Sequence, residues 1–418
     1  MLEIGFSKRS ITPSLPISLG GYADRKGMAE DVHDDLFVRA CYLESEGKQC
    51  ILLAFDLLMM DDDYYQPMQK EIATALGIKT QEVLLSTTHS HSAPLFIGQD
   101  RFGTVDKAYY KQVRSIALEV AKQARENKQA GRVAWQQEYY SGVGSSRRSE
   151  SREGDVILTI LSFADLENRP IASVVNYNCH PTVLSASNLS VSRDYPGAMM
   201  QELESCGIGE FMFVNGAAGD VSTRFVRKGQ TFEEVERLGN LLAERVKIRM
   251  QAMEYEEVDG FNFIMKEIDP PLKSLPKKED LDRLIEEISA EEDQMKSQGV
   301  SEAQLRLVHT KLQGAYVQRE LKEIMPQLSQ TVRMSALGIG RGALFFLNGE
   351  WFSGPAAKLI KETSYDVVGV VGYTNGIAGY FPDAKAFEEG GYEALSCRFA
   401  PGIGETIAQE GLELLKEQ

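Results

Sequence analysis

An α/β fold, with mixed central β-sheets flanked by helices in a single large domain, is what this 418-residue sequence predicts. Three observations carry that prediction. Strand-like runs and helix-like periodic segments alternate through most of the chain, as they do when sheets are covered by helices. Hydrophobic residues make up 43% and charged residues 25%, which suits a sizeable packed core and argues against disorder. One stretch, residues 276–325, breaks the alternation and reads as a helical hairpin inserted into the domain.

The elements follow in order. Residues 37–57 form a hairpin, "FVRACYLE" and "CILLAFDLL" around a turn at Gly47. "EVLLST" is a buried strand. Residues 106–126 are a helix, because Val113, Ile116, Ala117, Val120, Ala121 and Ala124 recur on one face. "DVILTILSF" (155–163), "IASVVNYN" (171–178) and "FMFVNG" (211–216) are strands. "TFEEVERLGNLLAERV" opens with Thr231 and Glu234 at capping-box spacing. In the hairpin insertion, Leu281, Leu284, Ile285 and Ile288 mark one apolar stripe, and Leu305, Val308 and Leu312 the other. It reads first as a surface hairpin packed on the core, and second as a lid or interface arm. "GALFFLNG" (342–349) and "VVGVVGY" (367–373) are late strands, and "GETIAQEGLELLKE" is a closing helix.

The formal net charge of −16 argues against nucleic-acid backbones and anionic membrane surfaces as partners. No apolar run is long enough for a transmembrane helix. The N-terminus lacks the basic and apolar regions of a signal peptide. The five cysteines are scattered, with no CxxC pair, which suits reduced thiols in a cytoplasmic protein.

The chemistry gathers at strand ends. "STTHSHSAP" follows "VLL" and carries two of the five histidines, His89 and His91. An HxH pair can aim two imidazoles at one point, yet two hydrogen-bonded histidines closing a strand would read the same. "NYNCHPTVLS" repeats the arrangement with His180, so a shared site becomes the better reading. "NGAAGDVSTRF" places Ser222 on a tight, small-residue loop. "FFLNGEWF" presents Glu350 just past a buried run, where a carboxylate is costly unless paired or metal-bound. Tyr380 and Tyr392 follow in "GYTNGIAGYFPDAKAFEEGGYEAL". The two remaining histidines have bland readings. His33 sits among acidic residues as a structural salt link, and His309 faces solvent from a charged helix.

In order and spacing, this set of motifs resembles the neutral/alkaline, non-lysosomal ceramidase family, in particular its N-terminal catalytic domain. The likeness runs nearly end to end, from "GFSKRSITP" and "LGGYADR" through "VHDDLFVRACYL" and "AFDLL" to the tyrosines. It implies one catalytic domain over residues 1–418 and a zinc-dependent amidohydrolase that cleaves an N-acyl bond. It also implies site residues. His89, His180, Glu350 and Tyr380 match the zinc ligands. His91 matches the second histidine of the family's HxH, near the metal but not bound to it. Ser222 matches the serine of "GDVS", an active-site residue. Tyr392 matches a tyrosine facing the substrate carbonyl. Arg147 in "GSSRRS" matches an active-site arginine, with Arg148 its neighbouring competitor. The family commonly has Thr and Gly where Ser90 and Ala93 stand, and Pro where Thr223 follows Ser222. Secreted ceramidases also carry a signal peptide and a C-terminal β-sandwich, for which this sequence shows no counterpart. The expected substrate is therefore a small-molecule N-acyl amide, sphingolipid-like or more soluble than ceramide. A zinc esterase or deacetylase on the same scaffold is the alternative, and a non-catalytic binding protein a more distant one.

Overall fold

The computed structural model of the chain describes residues 1–98, 104–149 and 154–417. Three sheets meet around one shared apolar core, and each carries helices on its outer face. The first sheet has five strands in the order Val83–Thr87, Lys48–Phe55, Phe37–Ser45, Glu3–Ser10, Gln129–Ala130. The expected hairpin is its middle. Its turn places Glu46 and Gly47 at φ 49° and 80°, the left-handed pair that suits the twist of two-residue hairpins. The second sheet orders Glu210–Asn215, Pro170–Tyr177, Ile157–Ala164 and Arg132–Tyr139. The third orders Phe261–Ile268, Val332–Ile339, Gly342–Leu347 and Val367–Val371.

The shared core draws on the inner faces of all three sheets, with Leu52, Trp135, Leu161, Met212, Leu337 and Phe346 among its members. Trp135 is fully buried and satisfies its indole N–H on the carbonyl of Ile339 at 3.0 Å, which ties the second sheet to the third. Sheets buried on both faces explain why strands such as Ile157–Ala164 read as unbroken apolar runs. The outer faces are covered by helices Asp62–Leu76 and Lys107–Glu126, Asp194–Ser205 and Phe232–Met250, and Ser353–Glu362 and Ile403–Lys416. Asp106 caps the second helix through the N–H groups of Ala108 and Tyr109. The capping box expected at Thr231 forms only by half. Thr231 accepts from Glu234 N, but the Glu234 carboxylate turns instead to Lys228 N at 2.7 Å and to Arg237.

The charged hairpin is two antiparallel helices, Lys278–Gln298 and Glu302–Ile324, turned at Gly299 with φ 66°. Ile285, Ile288, Val308 and Ala315 pack between them, with Leu395 from the rest of the chain against the same cluster. Gly314 lies so close to the tyrosine segment that a Cβ there would stand 2.9 Å from Tyr392 Cα. His309 is not the solvent-facing residue its charged surroundings suggest. It bridges Glu292 (3.0 Å) and Asp24 (2.9 Å), and so fastens the hairpin to the loop after Gly21. His33 does pair with Asp34, at 3.0 Å, and its ring also stacks on Phe232. Among the described residues, no helix is long and apolar enough to cross a membrane.

Candidate metal centre

Each sheet contains one parallel strand pair: Lys48–Phe55 with Val83–Thr87, Pro170–Tyr177 with Glu210–Asn215, and Gly342–Leu347 with Val367–Val371. Their carboxyl ends converge, and the candidate site lies there, where α/β sheets commonly present ligands. Hydrogen bonds sew the three ends together. Thr87 N reaches Tyr373 O (3.3 Å), Gly372 N reaches Asn215 O (3.0 Å), and Asn215 Nδ2 reaches Thr88 O (3.3 Å).

His89 follows the first pair, held at φ 65°, a strained conformation for a non-glycine residue. Its Nδ1 donates to Leu58 O at 3.0 Å. His180 follows the second pair, and its Nδ1 donates to Ala218 O at 2.7 Å. Glu350 follows the third pair after the turn at Gly349. Its short strand pairs in parallel with Tyr380–Phe381, so Glu350 and Tyr380 lie side by side. Gly219 permits this approach, because a Cβ there would meet Glu350 O at 2.6 Å.

With both Nδ1 protons committed to carbonyls, the neutral imidazoles of His89 and His180 turn bare Nε2 lone pairs inward. Glu350 Oε2 stands 3.0 Å from His180 Nε2 and 3.7 Å from His89 Nε2. Burial pushes the His89 pKa down to about 3 and that of His180 well below its ordinary value, so protonation does not relieve this crowding of acceptors. A cation does. Two imidazole nitrogens and a carboxylate oxygen at this spacing form a donor set that fits zinc. Burial and the Glu350 carboxylate hold the Tyr380 phenol neutral, while Arg147 Nη2 donates to its oxygen at 3.1 Å. A metal charge beside it would favour the phenolate.

The other residues singled out in the sequence are here too. His91 Nε2 lies 3.3 Å from His89 Nε2, and the three imidazoles present nitrogens within 4.8 Å of one another. The Nδ1 of His91 is buried without a hydrogen-bond partner among the described residues, so among them it lacks the carbonyl anchor that His89 and His180 have. Ser222 is buried and paired by backbone with His180. Tyr392 packs edge-on against Tyr380 with ring centres 5.6 Å apart. Arg147 turns into the site, with Nη1 at 3.3 Å from His180 Nε2. Arg148 turns away, to Glu393, Glu389 and the carbonyl of Gly390.

Three residues escaped the sequence reading. Tyr373 stacks on His89 at 4.1 Å and points its hydroxyl at Glu350 Oε2 (3.4 Å). Its place at a strand end, beside "TNG", was the available signal. Glu393 is buried between Arg147 and Arg148, at 2.7 and 2.9 Å. Asp220 is half-buried, two residues before Ser222, and accepts from Ser353 N (2.7 Å) and Oγ (3.1 Å).

Burial outweighs those bonds and raises the Asp220 pKa from 3.8 to about 6. A carboxyl whose folded pKa is raised stabilises the fold fully below its unfolded value, and that contribution is lost as pH rises through the folded one. The gap between 3.8 and about 6 corresponds to about 3 kcal/mol. Urea titrations of wild type and Asp220→Asn at pH 4 and pH 7 check this. Wild type should lose about 2.4 kcal/mol more than the variant over that interval, and equal losses would refute the assignment.

Two cavities open from this centre, of about 630 Å³ and about 780 Å³. Both touch Gly21, His91, Tyr380 and Tyr392, and both run beneath helix Glu302–Ile324 through Val317 and Glu320. The charged hairpin is thus a roof over the site.

Comparison with known proteins follows the same lines. Residues 2–224 match the sequence family described as neutral/alkaline non-lysosomal ceramidase, N-terminal. The neutral ceramidases of Drosophila pseudoobscura pseudoobscura and Drosophila melanogaster are 27% and 26% identical over 252 residues, 53% of this chain. The chain spans only 36% of the length of these relatives. The crystal structure of neutral ceramidase from Pseudomonas aeruginosa superposes with a TM-score of 0.77, over 99% of this chain and 74% of that one, at 16% identity. A ceramidase structure complexed with C2 gives the same values. The fold is therefore the one those structures have.

Proposed function

Because the chain belongs to the neutral/alkaline non-lysosomal ceramidase family, we propose that it is a zinc-dependent hydrolase that cleaves a linear N-acyl amide. The observation that carries the reading is the meeting of His89 Nε2, His180 Nε2 and Glu350 Oε2, with both imidazoles anchored through Nδ1 on backbone carbonyls. Tyr380 completes the proposed ligand set. A bound zinc supplies an acidified water, with a pKa of about 7, and polarises a carbonyl.

The chain's own groups divide the remaining work. In this reading Arg147 and Tyr392 donate to the carbonyl oxygen as it gains charge. Removing one donor of this kind typically costs about 3 kcal/mol of barrier. His91 is neutral, since burial and its two histidine neighbours push its pKa down. In this reading it takes a proton and passes it to the leaving nitrogen. Ser222 either holds the attacking water or attacks the carbonyl itself. Leu58, Met59, Ile97, Leu321, Ile324 and Ile377 line the smaller cavity and suit an apolar acyl part. The larger cavity carries Arg224, Arg227 and Lys228 on its wall and so suits a hydrophilic amine part, which supports a substrate more soluble than a two-chain lipid.

Elemental analysis together with a substrate panel tests this. One zinc per chain and faster cleavage of N-acyl amides than of matching esters or N-acetyl sugars is the expected result. Esters or acetylated sugars cleaved preferentially would replace the amidase by an esterase or deacetylase. An acyl-enzyme at Ser222, trapped and seen by mass spectrometry, would assign the attack to the serine, and its absence to water.

A further inference from the structure

Resting on the reading that this site hydrolyses N-acyl amides, we propose that the substrate bears an anionic group on its amine side, held by a cationic subsite of Arg224, Arg227 and Lys228. An amide has two substituents, and two cavities leave the candidate centre. The one lined by Leu58, Met59, Ile97, Leu321, Ile324 and Ile377 suits the acyl part. The other is walled by Arg224, Arg227 and Lys228, just beyond Ser222 and Arg147. This is notable in a chain with 45 basic and 61 acidic residues, where a chance wall would be acidic.

The carboxylates that face this cavity are already engaged. Asp24 accepts from His309 (2.9 Å) and Gln313 (2.8 Å) and lies 3.6 Å from Arg306. Glu393 is held by Arg147 and Arg148. Glu320 hangs from the roof at the junction of the two cavities. Arg224 gives Nη1 to the carbonyl of Arg147 at 2.8 Å and forms no ion pair with the described residues. Burial lowers its pKa to about 9, which still leaves it charged near neutrality. Arg227 donates to Thr182 O, and the backbone N–H of Lys228 is fixed by Glu234 at 2.7 Å, so this short segment is held in place. Glu393 acts on Arg224 electrostatically but spends its oxygens on Arg147 and Arg148, and a part-buried guanidinium with no ion pair among the described residues is costly unless an anion compensates it. The guanidinium fork matches a carboxylate or a phosphate, and both are the chemistry expected of the ligand.

The test uses the zinc-loaded full chain with N-octanoylglycine, its methyl ester and N-octanoyl phosphoethanolamine. Wild type should favour one of the charged amides over the ester by at least about tenfold in kcat/KM. Which of the two it favours tells carboxylate from phosphate. That preference should collapse in Arg224→Gln, weaken in Lys228→Gln and partly return in Arg224→Lys, with circular dichroism reporting the fold of each. Equal rates on charged and neutral amides in wild type, or a preference untouched by these substitutions, overturns the subsite and leaves the amidase reading standing. A second readout needs no turnover: calorimetric binding of N-dodecylglycine against dodecylamine. If no amide is cleaved but wild type binds N-dodecylglycine more tightly and Arg224→Gln does not, the subsite stands and the amidase reading falls.

Discussion

His89→Ala and His180→Ala should each lose bound zinc and hydrolytic activity while remaining folded, whereas His91→Ala should keep the metal and lose rate. Removing a group that only orients a ligand costs roughly 10–100-fold in metal affinity, and removing a ligand costs more. Both substitutions are tolerable for the fold, because the carbonyls they release keep other donors. Leu58 O still accepts from Thr87 Oγ1 at 3.0 Å, and Ala218 O from Val221 N at 3.0 Å. Alanine carries the same Cβ as histidine, so the φ of 65° at position 89 adds no new strain. His91 differs from both in the missing carbonyl anchor on Nδ1. Its loss should lower kcat by roughly 10²–10⁴-fold, the usual range for a general acid or base. Metal content by elemental analysis, read beside kcat, separates the two kinds of residue. A His91→Ala protein without zinc, beside a His89→Ala protein that keeps it, would exchange their roles.

Much of this arrangement is legible in the sequence because it rests on short-range patterns. Buried strands read as apolar runs, and His89, His180 and Glu350 each stand just beyond one. Glu3–Ser10, Phe261–Ile268 and Val332–Ile339 did not announce themselves. The first carries Lys8 and Arg9 into its polar end. The second is an edge strand with only Phe261 fully buried, so its apolar signal is diluted. The third holds Ser335 and Gly338, which favour strands weakly, and its burial comes from the sheet around it. The grouping into three sheets depends on contacts such as Ser86 with Thr374, which no local pattern encodes. The same holds for the roof. Helix Glu302–Ile324 is charged enough to read as solvated, yet its remaining face covers both cavities. Ion pairs across the site are least visible of all, because a lone acid in "GGYEAL" looks like any surface glutamate.

That glutamate sets the second large expectation: Glu393→Gln should destabilise the fold by about 3–5 kcal/mol and disable the site at once. Glu393 is buried and satisfies two guanidinium groups, Arg147 through Nε at 2.7 Å and Arg148 through Nη1 at 2.9 Å. Glutamine nearly preserves the shape, but it offers one acceptor oxygen where two were used and leaves two buried cations uncompensated. Burial alone would raise the carboxyl pKa. The two arginines outweigh it, and the net shift is below the ordinary value of 4.5. A depressed folded pKa means that this contribution is present above about 4.5 and is lost as pH falls through the folded value. The destabilisation should therefore be full at pH 7 and shrink in acid. Arg147 also donates to Tyr380 and lies beside His180, so freeing its far end loosens both. Denaturant titrations across pH, with zinc content and kcat measured on the same samples, separate stability from function. A stable Glu393→Gln protein with unchanged kcat would show that Arg147 is held by other means. A protein that unfolds easily but regains full kcat when cooled would confine Glu393 to stability.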